Sequence, residues 1–146
     1  MAIRVKYVGG PGECSSLHTQ IIHTLQEKTF GYIQEKVEYN HWWIAYSDGQ
    51  PVAFASLYKY PDNPTTAFLS LCGVLPSHRG LGLQRRLVQA RVAKAKKLGI
   101  KRIISYTSID NAPSANNLFS CGFRIYVPRW EWGVKNAIYF RKLLEP

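Results

Sequence analysis

Acidic residues are scarce in this chain and absent from its middle. Nine Asp and Glu stand against 19 Lys and Arg, for a formal charge of +10, and neither acid occurs between Asn63 and Ile109. That excludes a catalytic carboxylate on any strand or helix of the middle third. Cysteine is also sparse. Cys14, Cys72 and Cys121 form an odd set without a Cys-x-x-Cys pair, so neither a disulfide framework nor a thiol zinc site is expected. His18, His23, His41 and His78 have no ligand spacing to those thiols, and no metal is expected. No apolar run reaches the roughly 18 residues of a membrane span. The amino-terminal stretch alternates like a strand and lacks the apolar centre of a signal peptide, so a cytoplasmic protein without membrane association is expected. Low complexity and repeats are absent too. With 46% hydrophobic residues in 146, the chain reads as one globular domain, residues 1–146.

What is present centres on the segment from Thr66 to Leu98. Thr66–Leu75 is apolar enough for a buried strand, and Pro76 stops its ladder. Arg79-Gly80-Leu81-Gly82 follows, and then a periodic run from Leu83 to Leu98 reads as a helix closed by Gly99. A strand, a glycine turn and a helix start present free backbone N–H groups to an anion. Glycine lets a phosphate approach that backbone closely, and Arg79 adds a forked donor. Nine of the 19 basic residues lie between Arg79 and Arg102, Arg91 among them. The lysines of that run are expected on a solvated face, while Arg79, Arg85 and Arg86 are expected at the phosphate end. The spacing is neither that of the dinucleotide fingerprint nor that of the ATP-type loop.

The remaining elements follow in order. Ile3, Val5 and Tyr7 share one face of a first strand. Ser15 or Ser16 caps a helix whose stripe is Leu17, Ile21, Leu25 and Phe30, interrupted near Lys28–Gly31, and Tyr32–Val37 is expected to form a second short helix. His41–Tyr46 and Pro51–Lys59 are strands of a hairpin turning at Asp48-Gly49. Lys101–Ser108 is a strand, and Asp110 or Asn111 caps a helix ended by Gly122. Phe123–Val127 and Ala137–Leu143 are the last strands. This order describes an α/β (α+β) fold, a central mixed sheet of six to seven strands flanked by about four helices, with a parallel crossover around the Leu83–Leu98 helix.

Arg79-Gly80-Leu81-Gly82-Leu83-Gln84 resembles the Arg/Gln-x-x-Gly-x-Gly/Ala turn of the GCN5-related N-acetyltransferase (GNAT) superfamily, departing at Gln84. Asn111, Ser114 and Gly122-Phe123 resemble that family's second signature at the expected distance downstream. The resemblance spans essentially the whole chain. It implies the acyl-CoA N-acyltransferase fold and transfer of the acetyl group of acetyl-CoA to a primary amine of a small molecule or protein. It places the coenzyme on Arg79, Gly80, Leu81, Gly82, Leu83 and Gln84, on Asn111, Ser114 and Asn117, and on the backbone of Cys72 and Val74. The Val74 N–H is the expected oxyanion donor. Where many members carry a tyrosine that protonates the leaving thiolate, this chain has Leu118, so Tyr106, Cys121 and Tyr126 stand as alternative donors. Glu35, Glu38 and Asp62 are the nearest carboxylates to serve as base, each expected to be a solvated charge. Trp42, Trp43, Tyr58, Tyr60, Trp130 and Trp132 are candidates for an acceptor wall, with Trp42 or Trp43 expected in the core, and Glu131 accompanies the last pair. Two other functions fit the same residues. One is a CoA-binding protein of this fold with little catalysis; the other is a basic nucleic-acid-binding module, which the absence of any such motif disfavours. A monomer or homodimer is expected.

Overall fold

The computed structural model describes residues 2–145, one residue short of the expected domain at each end. A seven-stranded sheet runs in the order β1-β2-β3-β4-β5-β7-β6. Its strands are β1 (Ile3–Gly9), β2 (His41–Ser47), β3 (Gln50–Lys59), β4 (Thr66–Val74), β5 (Arg102–Ser108), β6 (Arg124–Ile125) and β7 (Ala137–Leu143). The expected mixed sheet is therefore present. Among the described residues three α-helices accompany it, α1 (Ser16–Phe30), α2 (Leu83–Lys97) and α3 (Ala112–Ser120), rather than about four. None of the described helices is long and apolar enough to cross a membrane.

The expected helix over Tyr32–Val37 is replaced by a loop and a single 3-10 turn at Val37–Tyr39. The cause is Gln26. Its buried side chain accepts from the backbone N–H of Gln34 (2.8 Å) and Glu35 (3.0 Å) and donates to the Glu35 carbonyl (3.0 Å). Those backbone groups are satisfied without a helix. α1 itself is continuous through Lys28–Phe30, capped by Ser15 and stopped by Gly31 in the left-handed region. Its buried face is Ile22, Leu25 and Gln26, and Leu17 lies 67% exposed. Ile21 and Phe30 pack against the same core, so of the expected stripe Leu17 alone lies outside it, while Ile22 and Gln26 join it.

The hairpin between β2 and β3 turns through Asp48 and Gly49, both at positive φ. The sheet has a core on each side. Trp43, Leu57, Leu69, Leu87, Val88 and Ile103 belong to one; Trp42, Ile44, Phe54, Ile22 and Leu25 belong to the other. Adjacent residues on a strand face opposite ways, so both tryptophans are core residues, and both leave the list of acceptor-wall candidates.

β4 is the strand on which the site depends. It pairs antiparallel with β3 over most of its length, but with β5 only through Thr66–Phe68 against Arg102–Ile104. Beyond Phe68 the two parallel strands part. β4 also carries a bulge, with Ser70 and Leu71 opposite Ser56. The Leu71 N–H is taken by Ser56 Oγ at 3.0 Å. This bulge bends the strand where the gap opens.

Candidate active site

The turn after β4 has the geometry of an anion cradle. Gly80 (φ 79°) and Gly82 (φ 78°) both lie in the left-handed region, and open space faces the position of a Cβ at each. Gly82 is the N-cap of α2 and offers no side chain, so no cap takes the first N–H groups of the helix. Arg79 Nε donates to the Val74 carbonyl at 3.1 Å, which pins the turn to the end of β4. A cavity of about 810 Å³ opens in front, lined by Cys72, Val74, Arg79, Gly80, Gly82, Leu83, Gln84, Arg85, Asn111 and Asn117, among others. Most of the residues expected to hold a coenzyme thus converge from segments some 30 residues apart. Leu81 does not line the cavity and is 47% exposed.

Gln84, the departure from the family pattern, ties α2 to α3. Its Nε2 donates to Ser114 Oγ (3.3 Å) and its Oε1 accepts from Asn117 Nδ2 (3.0 Å). Asn111 caps α3 by accepting from the Ser114 N–H at 3.2 Å. Ser114 opens not on the first cavity but on an adjoining one of about 380 Å³, which also includes Cys72, Gln84, Asn111, Leu118 and Tyr106. The two cavities share Phe30, Cys72, Gln84 and Asn111 in their linings.

Antiparallel hydrogen bonding alternates along β4. The Leu75 N–H bonds the Val52 carbonyl at 2.9 Å. By alternation, the N–H groups of Cys72 and Val74 point away from β3 and toward the gap. Leu118 is 4% exposed and brings no proton to the second cavity.

Three polar side chains in that cavity are singled out by no motif, although the sequence offers Glu35 and Tyr106 among several alternatives. Glu35 is one. It is not the solvated charge expected of it: its carboxylate is half-buried, accepts from Ser70 Oγ at 2.6 Å and is also bonded by Asn40. Burial holds its proton affinity above the ordinary carboxylate range, with the Ser70 and Asn40 bonds pulling the other way. Glu38 and Asp62 are exposed. Tyr106 is the second, and of the three alternative donors only it lines this cavity; burial first, then Tyr139 and Glu35, hold its hydroxyl protonated. The third is Arg91. Expected in the basic surface field, it is only 1% exposed and lies beneath the β4 bulge. It donates to the carbonyls of Leu87 (3.1 Å), Ser56 (3.2 Å) and Leu71 (3.5 Å). A periodic basic helix gave no sign of this, because two of the three acceptors, Ser56 and Leu71, are supplied by the bulge. Cys72, beside Arg91, is held protonated by burial.

An aromatic wall closes one side. Phe68, Tyr106 and Trp132 pack mutually, with centroids 5.4 to 5.8 Å apart. Gly133 lets the loop before β7 lie on the Tyr106 ring, since a Cβ there would sit 2.7 Å from it. Trp130 and Tyr60 lie beyond, in a separate cleft, and Tyr58 packs edge-on to Tyr60.

An anion cradle at a helix start, opening onto a strand gap with inward N–H groups, defines a class of acyl-coenzyme-dependent transferase. The model of the Acetyltransferase (GNAT) family matches residues 14–123, and the chain belongs to that family of acetyl-CoA-dependent acetyltransferases. Solved structures of the same fold include an acetyltransferase of Bacillus subtilis in complex with CoA, 20% identical, with a TM-score of 0.74 over 99% of this chain and 100% of that one. A protein from Salmonella typhimurium with its cofactor acetyl-CoA is 18% identical, with a TM-score of 0.71 over 99% of this chain and 95% of its own. A ribosomal-protein alanine N-acetyltransferase of Escherichia coli is 16% identical, with a TM-score of 0.73 over 96% of this chain and 92% of its own.

Proposed function

We propose that this protein acetylates a primary amine, of a small molecule or a protein, by direct transfer from acetyl-CoA. The observation that carries the reading is the pair of open left-handed glycines, Gly80 and Gly82, facing an uncapped helix start beside the β4–β5 gap. The residues fit a pyrophosphate: two glycines without steric bar, first-turn N–H groups, and Arg79 and Arg85 on the rim. Asn111 and Asn117 then face the coenzyme's amide-bearing arm, and Cys72 and Val74 offer it backbone groups along β4.

When bound, acetyl-CoA supplies an activated thioester carbonyl. The chain's own groups do the rest. The Val74 N–H donates to the carbonyl oxygen as negative charge grows there; a preorganised donor of this kind is worth about 10²–10³ in rate. Glu35 takes a proton from the amine. Its raised proton affinity brings it nearer to the amine's and makes it a more effective base than a solvated carboxylate. Tyr106 stands in the cavity that Leu118 also lines and gives the departing sulfur its proton. Phe68 and Trp132 exclude water from the amine.

A second reading, a coenzyme-binding protein with little catalysis, is favoured by one observation, the apolar Leu118 at the usual proton-donor position. Thermal unfolding with acetyl-CoA, CoA and ATP, followed by turnover with a panel of amines, separates the readings. A shift selective for the coenzymes together with thiol release on adding an amine establishes acetyl transfer. A selective shift without thiol release from any amine establishes the second reading. An equal shift with every polyanion refutes both.

A further inference from the structure

A second cleft, of about 810 Å³, lies on the same face of the sheet as Ser70 and Tyr106, past the aromatic wall. Arg102, Tyr126, Arg129, Trp130, Trp132 and Arg141 line it. Its charge is unbalanced, with three guanidiniums against one carboxylate, the exposed Asp62. Ile104 pairs with Arg141 and Arg102 with Leu143, so Arg102 and Arg141 are diagonal neighbours on one face of the sheet. Like charges so placed oppose folding. Both guanidiniums lie near one ring, 5.2 Å and 5.3 Å from the centroid of Tyr126. Stacking relieves part of the cost, and an anion in the cleft, meeting the outer guanidinium nitrogens, offsets the rest; Arg102 Nε itself is buried out of an anion's reach and has no hydrogen-bond partner among the described residues.

The cleft stands at a definite distance from Glu35. Ser70, which holds Glu35, and Thr66, at the edge of the cleft, are four residues apart on β4, so the two ends are separated by about 13 Å along the strand. Between them lies the apolar surface of Phe68, Tyr106 and Trp132. The geometry points to an acceptor of one chemical class: an amine that carries a carboxylate or phosphate roughly 13 Å from the nitrogen, with an apolar stretch between. The amine meets Glu35, the apolar middle crosses the aromatic wall, and the anion meets Arg102 and Arg141. This rests on the acetyl-transfer reading for the role of the amine end, and on the guanidinium cleft alone for the anionic end.

The test uses a matched pair, 11-aminoundecanoate, whose extended length suits the span, and undecylamine, which lacks the anion. Binding is followed by the fluorescence of the tryptophans, Trp130 and Trp132 among them, and turnover by thiol release from acetyl-CoA. The acid is expected to bind, and to be acetylated, about tenfold better than the amine, as loss of one charge-assisted contact implies. The preference is expected in KM rather than kcat, and to shrink with salt. Arg141→Gln, at an exposed position, closes the gap between the two compounds, and Arg102→Gln does the same. A second pair, the C-terminally amidated peptides Ala-Leu-Leu-Glu-amide and Ala-Leu-Leu-Gln-amide, which differ by one carboxylate, distinguishes a peptide amino terminus from a free small molecule as the source of the amine. Selective binding of the acids without turnover upholds the anion subsite and refutes acetyl transfer. Turnover of both members at equal efficiency upholds acetyl transfer and overturns the subsite. Neither acid binding, or a short single-stranded RNA binding while both acids fail, also overturns it.

Discussion

Replacing Gly82 by alanine tests the cradle, with Gly99 as its control. Both residues lie in the left-handed region, at φ 78° and 77°, and open space faces the Cβ position at each. An L-residue pays about 1–2 kcal/mol there. For a chain of this size that lowers the melting temperature by roughly 3–8 °C. The two substitutions are therefore expected to cost the same in stability. They differ in place. Gly82 opens α2 and Gly99 follows its far end, so the 15-residue helix between them holds the two sites at least about 22 Å apart. In Gly82→Ala the new methyl occupies space that the pyrophosphate needs against the backbone. Loss of one charge-assisted hydrogen bond costs about 1.5–3 kcal/mol, or roughly 10- to 150-fold in affinity. The assay is thermal unfolding of parent and variants across a CoA titration, with Kd read from the midpoint shift. Gly99→Ala keeps the parental CoA shift on a lowered baseline; Gly82→Ala loses most of it. If both variants bind CoA as the parent does, the glycine turn is only a turn and not a coenzyme cradle.

Glu35→Gln is expected to lower kcat/KM by about 10²–10⁴ and to abolish the acidic limb of the pH–rate profile, which in the parent lies above the ordinary carboxylate range. An unchanged limb would assign the base elsewhere. The same variant has a stability signature. Burial raises the folded-state proton affinity of Glu35, so its contribution is present at low pH and is lost as pH rises through that raised value. Melting temperatures of parent and Glu35→Gln should then diverge in the variant's favour with rising pH, and a gap that narrows instead contradicts the buried placement. Tyr106→Phe keeps the ring stack on Phe68 and removes the proton, so kcat should fall tenfold or more while KM and melting temperature stay near parental. An equal fall in stability would mean a packing role only. Gly73→Ala puts a Cβ 2.5 Å from the Phe54 ring and 2.9 Å from Thr29 Oγ1, an overpacking that costs about 1–3 kcal/mol, and urea denaturation measures it.

The sequence alone determined the elements that are local in the chain. Pro76, the two glycines and the periodic run from Leu83 mark a strand, a turn and a helix, because each depends on backbone preferences within a few residues. The hairpin at Asp48-Gly49 and the cap at Asn111 were legible for the same reason. That the glycine turn and Asn111 share a site followed only from the resemblance of both motifs to one family. Local rules also misled. The helical pattern over Tyr32–Val37 was overridden by one buried side chain, Gln26, whose amide satisfies the backbone that a helix would have satisfied. On α1, Ile21, Leu25 and Phe30 meet the core as their periodicity predicts, but Leu17 does not and Ile22 does, because the two are equally apolar and only packing chooses between them.

Tertiary structure decided the rest, since each remaining feature joins groups far apart in the chain. Glu35 and Ser70 are 35 residues apart, as are Arg91 and Ser56. Arg91 leaves the basic surface only because a bulge in β4 turns carbonyls toward it. Arg102 and Arg141 meet because of the β5–β7 register, which a shift of one residue would send to opposite faces. Charge and periodicity are written residue by residue. Whether a carboxylate is solvated or buried, and whether two arginines are neighbours, depends on how strands pair and where they part.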